Sequence, residues 1–146
     1  MKSPYYFFLG KTQGCSVWRN TSFFIIQFLK ELVMKNYQCR KCAQVLQSES
    51  TPSSGTCPKG GSHTWNDIGR FGNKNYQCRK CAQILQSEST PSSGYCPNGG
   101  SHTWDNIGNV GNNNYQCRKC GQVLKSESTP SSGYCPNGGS HTWNKL

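Results

Sequence analysis

The sequence predicts a small, metal-stabilised β fold, with three modules of short β-hairpins in tandem and an N-terminal helix before them. Three observations lead to this prediction. A segment of about 30 residues recurs three times, and internal repeats of this kind indicate stacked or strung small units. Each copy carries three cysteines and one histidine at fixed separations. The apolar residues of one copy are too few to hold it together through a core alone.

The N-terminal segment, residues 1–35, is unlike the rest of the chain. Its stretch 22–34, "SFFIIQFLKELVM", places apolar side chains at helical spacing but is too short and too interrupted to span a bilayer. Two interpretations stay open: an amphipathic helix that docks on a membrane surface or a partner, and a mis-assigned start with translation beginning at Met34. Cys15 matches nothing in the repeats and is interpreted as a free thiol.

The repeat divides the remaining chain into three units, 36–74, 75–113 and 114–146. The first two end in Gly- and Asn-rich segments, residues 66–74 and 105–113, whose composition is typical of linkers. Flexible chain of that length reaches about 16 Å. Composition therefore favours beads on a semi-flexible string over a stacked array, although Ile68 and Ile107 could attach each linker to a neighbouring unit.

The cysteines and histidines of each unit follow the pattern C-x2-C, a longer spacer, then C-x5-H. The twelve candidate ligands are Cys39, Cys42, Cys57 and His63; Cys78, Cys81, Cys96 and His102; and Cys117, Cys120, Cys135 and His141. Three thiolates and one imidazole match a tetrahedral structural zinc site, which predicts three Zn²⁺ ions, one per unit. Disulfide pairing would leave an odd cysteine in every unit and would give the histidine no role.

The residues between the ligands suit this chemistry. In "CRKC" a short turn lets both sulfurs face one ion, and its backbone N–H groups can point back at the sulfurs. In the second knuckle Pro58 and the glycines of "KGG" or "NGG" provide a tight turn that returns the histidine to the same ion. Trp104, two residues past His102, is expected on the same side of an extended segment.

The knuckles "CRKC" and "CPNGGSH" resemble those of the zinc ribbon, a β-hairpin fold shared with rubredoxin-like proteins, over residues 36–65, 75–104 and 114–143. The resemblance implies two strands, "NYQC" and "AQVLQSES", with the first knuckle at their tip. It departs from the family's usual second C-x2-C, which is C-x5-H here. The residue after the second cysteine is often glycine in such knuckles, and Gly121 fits. If this position needs a positive φ, the third unit is predicted to be the most stable.

The resemblance also implies a non-enzymatic interaction module, with protein and nucleic acid both open as partners. Candidate nucleic-acid contacts are the basic pairs of the first knuckle, Arg40 and Lys41, Arg79 and Lys80, and Arg118 and Lys119. Tyrosine and tryptophan rings could stack on bases, or could instead form the small core of each unit. The chain carries a formal charge of +10, but residues 75–113 hold as many acidic as basic side chains.

Two further functions are weighed: a rubredoxin-like electron carrier, which needs iron, and a zinc buffer or storage protein. An enzyme is not expected, because four protein ligands leave no position on the metal for water, and no small-molecule substrate is expected either. Nine thiols available for metal predict a reducing compartment, and hence a cytoplasmic location.

Overall fold

The computed structural model describes residues 34–146, together with Ile25. Nine strands and no helix lie within 34–146. The strands are β1 (Lys35–Cys39), β2 (Val45–Ser48), β3 (Trp65–Arg70), β4 (Lys74–Cys78), β5 (Ile84–Ser87), β6 (Trp104–Asn109), β7 (Asn113–Cys117), β8 (Val123–Ser126) and β9 (Trp143–Lys145). The helix predicted over residues 22–34 falls outside the described residues, apart from Ile25 and Met34. A search of the described residues finds no helix with the length and apolar character needed to cross a membrane.

The nine strands form three antiparallel three-stranded sheets, one in each module, which confirms the predicted fold class over residues 34–146. The strand orders are β2-β1-β3, β5-β4-β6 and β8-β7-β9, so the first strand of each module is central. In β1 both alternating sets of side chains are buried: Tyr37 and Cys39 on one, Asn36 and Gln38 on the other. A polar set can be buried in this way only if it finds hydrogen-bond partners.

The third strand of each sheet corrects the assignment of residues 66–74 and 105–113 to linkers. Residues 65–70 pair with β1, and residues 104–109 pair with β4. Between Asn36 and Tyr37 the register shifts by one residue, so Ile68 is the extra residue of a bulge. Ile68 and Ile107 are 0% and 1% exposed. A single apolar residue per strand therefore anchors segments whose Gly- and Asn-rich composition hides their strand character.

The three modules are stacked, and the favoured prediction of beads on a semi-flexible string is wrong. Backbone hydrogen bonds cross from the first module to the second: Ser92 N–H donates to Ile68 O at 2.8 Å, and Glu88 N–H donates to Arg70 O at 3.1 Å. The side-chain amide of Asn36 donates to Gln86 O at 2.8 Å. The second and third modules make the equivalent bonds, through Ile107, Asn109 and Asn75. Stacking replaces the water that these backbone groups would otherwise bind.

Stacking also changes how deeply equivalent residues are buried. Leu85 and Leu124 are 6% and 7% exposed, whereas Leu46 in the first module is 38% exposed. These leucines occupy the same position of the repeat, so the difference comes from the module packed in front of each. The face of the second module that receives the first is therefore built from β5 and the second knuckle.

Candidate metal centres

In each module the structure brings the four predicted ligands together. Their ligand atoms all lie within 4.8 Å of one another in each of the three clusters. In the second module Cys78 Sγ lies 4.0 Å from Cys96 Sγ, and Cys81 Sγ lies 3.6 Å from His102 Nδ1. A tetrahedron with metal–sulfur bonds of about 2.3 Å has edges of about 3.8 Å, so these separations fit one small divalent ion. The nine described cysteines are free thiols.

The first knuckle adopts the turn that its sequence predicts. Lys41 N–H donates to Cys39 Sγ, and Lys80 N–H to Cys78 Sγ, both at 3.4 Å. The residue after the second cysteine has a positive φ in all three modules: 61° at Ala43, 60° at Ala82 and 74° at Gly121. Alanine in this region costs roughly 1–2 kcal/mol, so the first two modules hold backbone strain that the third lacks.

Replacing these alanines is expected to stabilise their modules. Ala43→Gly and Ala82→Gly relieve the positive-φ strain, part of which is offset by the greater freedom of glycine in the unfolded chain. We expect a net gain of about 0.5–1 kcal/mol for each, and a similar loss for Gly121→Ala. Denaturant unfolding of the metal-loaded chain measures these changes. No atom lies within 4 Å of a Cβ added at Gly121, so steric crowding does not contribute to the cost of Gly121→Ala. Three variants with the same free energy of unfolding as the wild type would contradict the strain argument.

The second knuckle turns through two consecutive glycines. Gly60 and Gly61 have φ values of 95° and 66°, as the "KGG" sequence predicts. Cys57 N–H donates to Gly61 O at 2.8 Å, which closes the turn. His63 N–H then donates to Ser54 O at 2.7 Å, so the histidine backbone is held against the segment that precedes the knuckle.

Each histidine presents Nδ1 to the thiols. The distance from Nδ1 to the second cysteine of the first knuckle is 3.6 Å in all three modules. The tryptophan two residues after each histidine stacks on the imidazole ring. The ring centroids are 4.7 Å apart for Trp65 and 4.5 Å apart for Trp104 and Trp143. The indole N–H groups donate to serine carbonyl oxygens at 2.9–3.1 Å. The tryptophan therefore fixes the plane of the ring.

In the first knuckle of every module the pKa of the first cysteine is lowered and the pKa of the second is raised. Burial raises the pKa of Cys39, but hydrogen bonds from the backbone N–H groups of Cys42 and Lys41 and from His63 outweigh it and bring that pKa down to about 5. The same opposing causes bring the pKa of Cys117 to about 5. Burial and the neighbouring Cys78 raise the pKa of Cys81 to about 12. Metal binding must therefore displace a proton from the second cysteine of the knuckle, so acid weakens binding.

The three sites are not equivalent. In the second and third modules an asparagine of the second knuckle forms a hydrogen bond to the first knuckle of the same module. Asn98 Nδ2 donates to Lys80 O at 2.6 Å, and Asn137 Nδ2 donates to Lys119 O at 2.7 Å. Lys59 occupies this position in the first module. His102 and His141 are each 4% exposed, whereas His63 is half-buried.

The basic residues predicted to contact nucleic acid have partners inside their own modules. Each arginine donates to a side chain of the third strand: Arg40 to Asn66, Arg79 to Asp105 and Arg118 to Asn144, at 2.7–2.9 Å. Each lysine ammonium points at a carbonyl oxygen of the second knuckle, at 3.0–3.5 Å. The lysine thus connects the two knuckles, and the arginine connects the first knuckle to the third strand.

Sequence reasoning missed two buried glutamines next to these sites. Gln38 and Gln77 are each 1% exposed and reach the histidine of the following module. No local signal marks them, because the residues in contact are far apart in the chain. Burial of a polar residue on a central strand is the signal, and it is visible only in the structure.

The fold and the clusters together define an array of three Cys3His modules, each able to hold one metal ion. Comparisons of the chain with protein families, with curated proteins and with solved structures give no match. The interpretation of the sites therefore rests on their geometry and on the chemistry of their donor atoms.

Proposed function

We propose that this chain is a zinc-binding tandem-repeat protein that acts as a non-enzymatic interaction module. The observation that carries the proposal is the convergence of three thiols and one imidazole within 4.8 Å, three times over. Soft thiolates and an imidazole in tetrahedral arrangement suit Zn²⁺ better than the hard, oxygen-binding cations. Four protein ligands complete the coordination of zinc, so each ion would be structural and would leave no position for a substrate or water.

For the partner, the placement of the aromatic rings favours protein over nucleic acid. Tyr37, Tyr76 and Tyr115 are 5–6% exposed and belong to the module cores. The tryptophans stack on the histidines. Of the aromatic residues described, Tyr95 and Tyr134 are the ones about 40% exposed, which leaves few rings on which bases could stack.

A cleft of about 630 Å³ runs along strands β2, β5 and β8 and is the surface that we assign to a protein partner. Residues of all three modules line it, among them Leu46 and Val123, which are 38% and 54% exposed. Leu46 belongs to the edge strand β2 of its sheet, and Val123 to the edge strand β8. Exposed aliphatic side chains on edge strands suit an extended polypeptide segment, which supplies both apolar side chains and backbone hydrogen-bonding groups.

Native mass spectrometry of the purified full-length chain tests the metal. We expect three zinc ions per chain before chelation and none after it. Cys120→Ser is a matched control that should lower the occupancy to two, since it removes a ligand from one module only. A coloured protein containing iron would favour the electron carrier instead. Zinc that exchanges rapidly with a weak chelator, with no partner bound, would favour the buffer.

Selection of peptides from a random displayed library against the zinc-loaded chain tests the partner. Selected peptides are expected to bind wild type and a Tyr134→Ser control equally, because Tyr134 lies outside the cleft lining. Val123→Lys places a charge in the cleft and should weaken binding about tenfold or more. Failure to select any peptide, together with salt-sensitive binding of a single-stranded oligonucleotide, would assign the partner to nucleic acid.

A further inference from the structure

Two glutamines of the central strands act outside their own modules. The amide nitrogen of Gln38 lies 2.8 Å from Nε2 of His102, and that of Gln77 lies 2.8 Å from Nε2 of His141. The amide oxygen of Gln38 accepts a hydrogen bond from Tyr95 N–H at 2.9 Å. Gln77 makes the equivalent bond with Tyr134 N–H. Each glutamine therefore contacts both the ligand histidine of the following module and the backbone beside its second knuckle.

The side-chain hydrogen bonds of these glutamines to the following module are more numerous and shorter than those within their own module. Within its own module Gln38 makes one long hydrogen bond, to Ala43 O at 3.5 Å, and Gln77 makes one to Ala82 O at 3.4 Å. Gln116 occupies the same position in the third module and makes only the local bond, to Gly121 O, within the described residues. It is also partly exposed, unlike the other two. The repeat thus contains its own comparison between a glutamine that reaches a neighbouring site and one that does not.

The contacted ring atom is the one that a metal leaves free. Nδ1 of His102 faces Cys81 Sγ, so Nε2 is on the far side of the ring. When Nδ1 binds a metal, the neutral imidazole carries its proton on Nε2, and a partner there fixes both tautomer and ring orientation. The amide nitrogen at 2.8 Å can donate to Nε2 only while the ring proton is on Nδ1, which is the metal-free arrangement. When Nδ1 binds a metal and Nε2 carries the proton, the amide must rotate about its terminal bond so that its oxygen accepts from Nε2–H, and the hydrogen bond from Tyr95 N–H is given up.

We propose that Gln38 and Gln77 are positioning residues for the metal site of the next module, so that tight metal binding in the second and third modules depends on the module before. The inference rests on the proposed metal-binding function. It makes the coupling directional along the chain: the first module supports the second site, and the second supports the third. His63, half-buried and with no such glutamine in contact among the described residues, marks the site without this support.

The test compares Gln38→Ala, Gln77→Ala and Gln116→Ala in the full-length, zinc-loaded chain. Excess chelator is added, the cysteines that become free are labelled with N-ethylmaleimide, and labelled tryptic peptides are weighed. The tryptic peptides that begin at Cys42, Cys81 and Cys120 distinguish the modules, and fragmentation assigns the labelled cysteine within residues 81–118; Cys39 and Cys78 lie in identical peptides and are not used. We expect Gln38→Ala to speed labelling of Cys81 and Cys96 about tenfold or more. Gln77→Ala should do the same to the third module, and Gln116→Ala should leave all three modules at their wild-type rates.

A nitrogen NMR spectrum of the histidine rings separates positioning from a merely structural role. In the zinc-loaded wild type, the Nε2–H protons of His102 and His141 are expected to exchange slowly with water, and that of His63 quickly. Gln38→Ala should make the His102 proton exchange quickly and leave the His141 proton unchanged.

Faster labelling confined to the first module in Gln38→Ala, or spread equally over all three, would overturn the inference. A second module that is labelled at the wild-type rate in Gln38→Ala would overturn it as well. These results are distinct from failure of the proposed function, which would show as a wild-type chain that retains no metal at all.

Discussion

Removal of metal with a chelator is expected to abolish the cooperative thermal transition of the full-length chain. Each module is small and contains few buried apolar side chains, chiefly one tyrosine, an isoleucine, a leucine or both, and the cysteines themselves. Structural zinc contributes on the order of 10–16 kcal/mol to folding in units of this size, which is more than such a core can replace. Circular dichroism during heating, with and without chelator, measures the effect.

The control for this experiment is the choice of ion added back. Zn²⁺ should restore the transition, whereas Mg²⁺ and Ca²⁺ should not, because they prefer oxygen ligands and the clusters offer sulfur and nitrogen. A metal-free chain that still melts cooperatively would show that packing between modules, and not the ion, holds the fold. The proposed role of the clusters would then have to be abandoned.

Substitution of Gly94 is expected to cost more than the same substitution one repeat earlier. A Cβ at Gly94 would lie next to Gln38 Oε1, well inside contact distance, and Gln38 is fully buried. Gly94→Ala must therefore displace Gln38 and break its hydrogen bonds to Tyr95 N–H and His102, at about 1 kcal/mol each. Gly55→Ala meets nothing closer than a carbon of His63 at 3.9 Å.

The two glycines form a matched pair. Their φ values, 43° and 37°, are similar, so the strain of placing alanine there nearly cancels between them. We expect Gly94→Ala to be about 2 kcal/mol more destabilising than Gly55→Ala in denaturant unfolding, and Gly133→Ala to behave like Gly94→Ala. Equal costs at Gly55 and Gly94 would mean that Gln38 moves freely, which would also weaken the case for its action on His102.

The parts of the site that the sequence predicts are those set by short-range spacing. Cys39 and Cys42 are separated by one tight turn, and Cys57 and His63 by another, so the chain between them dictates that each pair meets. The same reasoning identifies the positive φ of Ala43, because the turn requires it whatever residue is present. Local chemistry therefore decides the ligands and the knuckles.

The parts that the sequence does not predict depend on neighbours. Residues 65–70 have the composition of a loop, and they become a strand because β1 offers backbone partners and a site for Ile68. From the sequence, Arg79 is a candidate for contact with a binding partner, but β6 places Asp105 beside it and the two side chains form a hydrogen bond. Gln38 is an ordinary polar residue of a strand until the next module places His102 against it. Each of these outcomes is decided by tertiary contact, on which composition carries no information.

The junction between modules is made from parts that every repeat brings with it. The second unit carries both halves of a junction. Its Gln86 O accepts from Asn36 of the first unit, and its own Asn75 donates to Lys125 O of the third. A copy inserted into the array, or one removed from it, would thus find matching surfaces on both sides. The number of units therefore sets the length of the cleft, because each added unit contributes one more lining strand and needs no new contact surface.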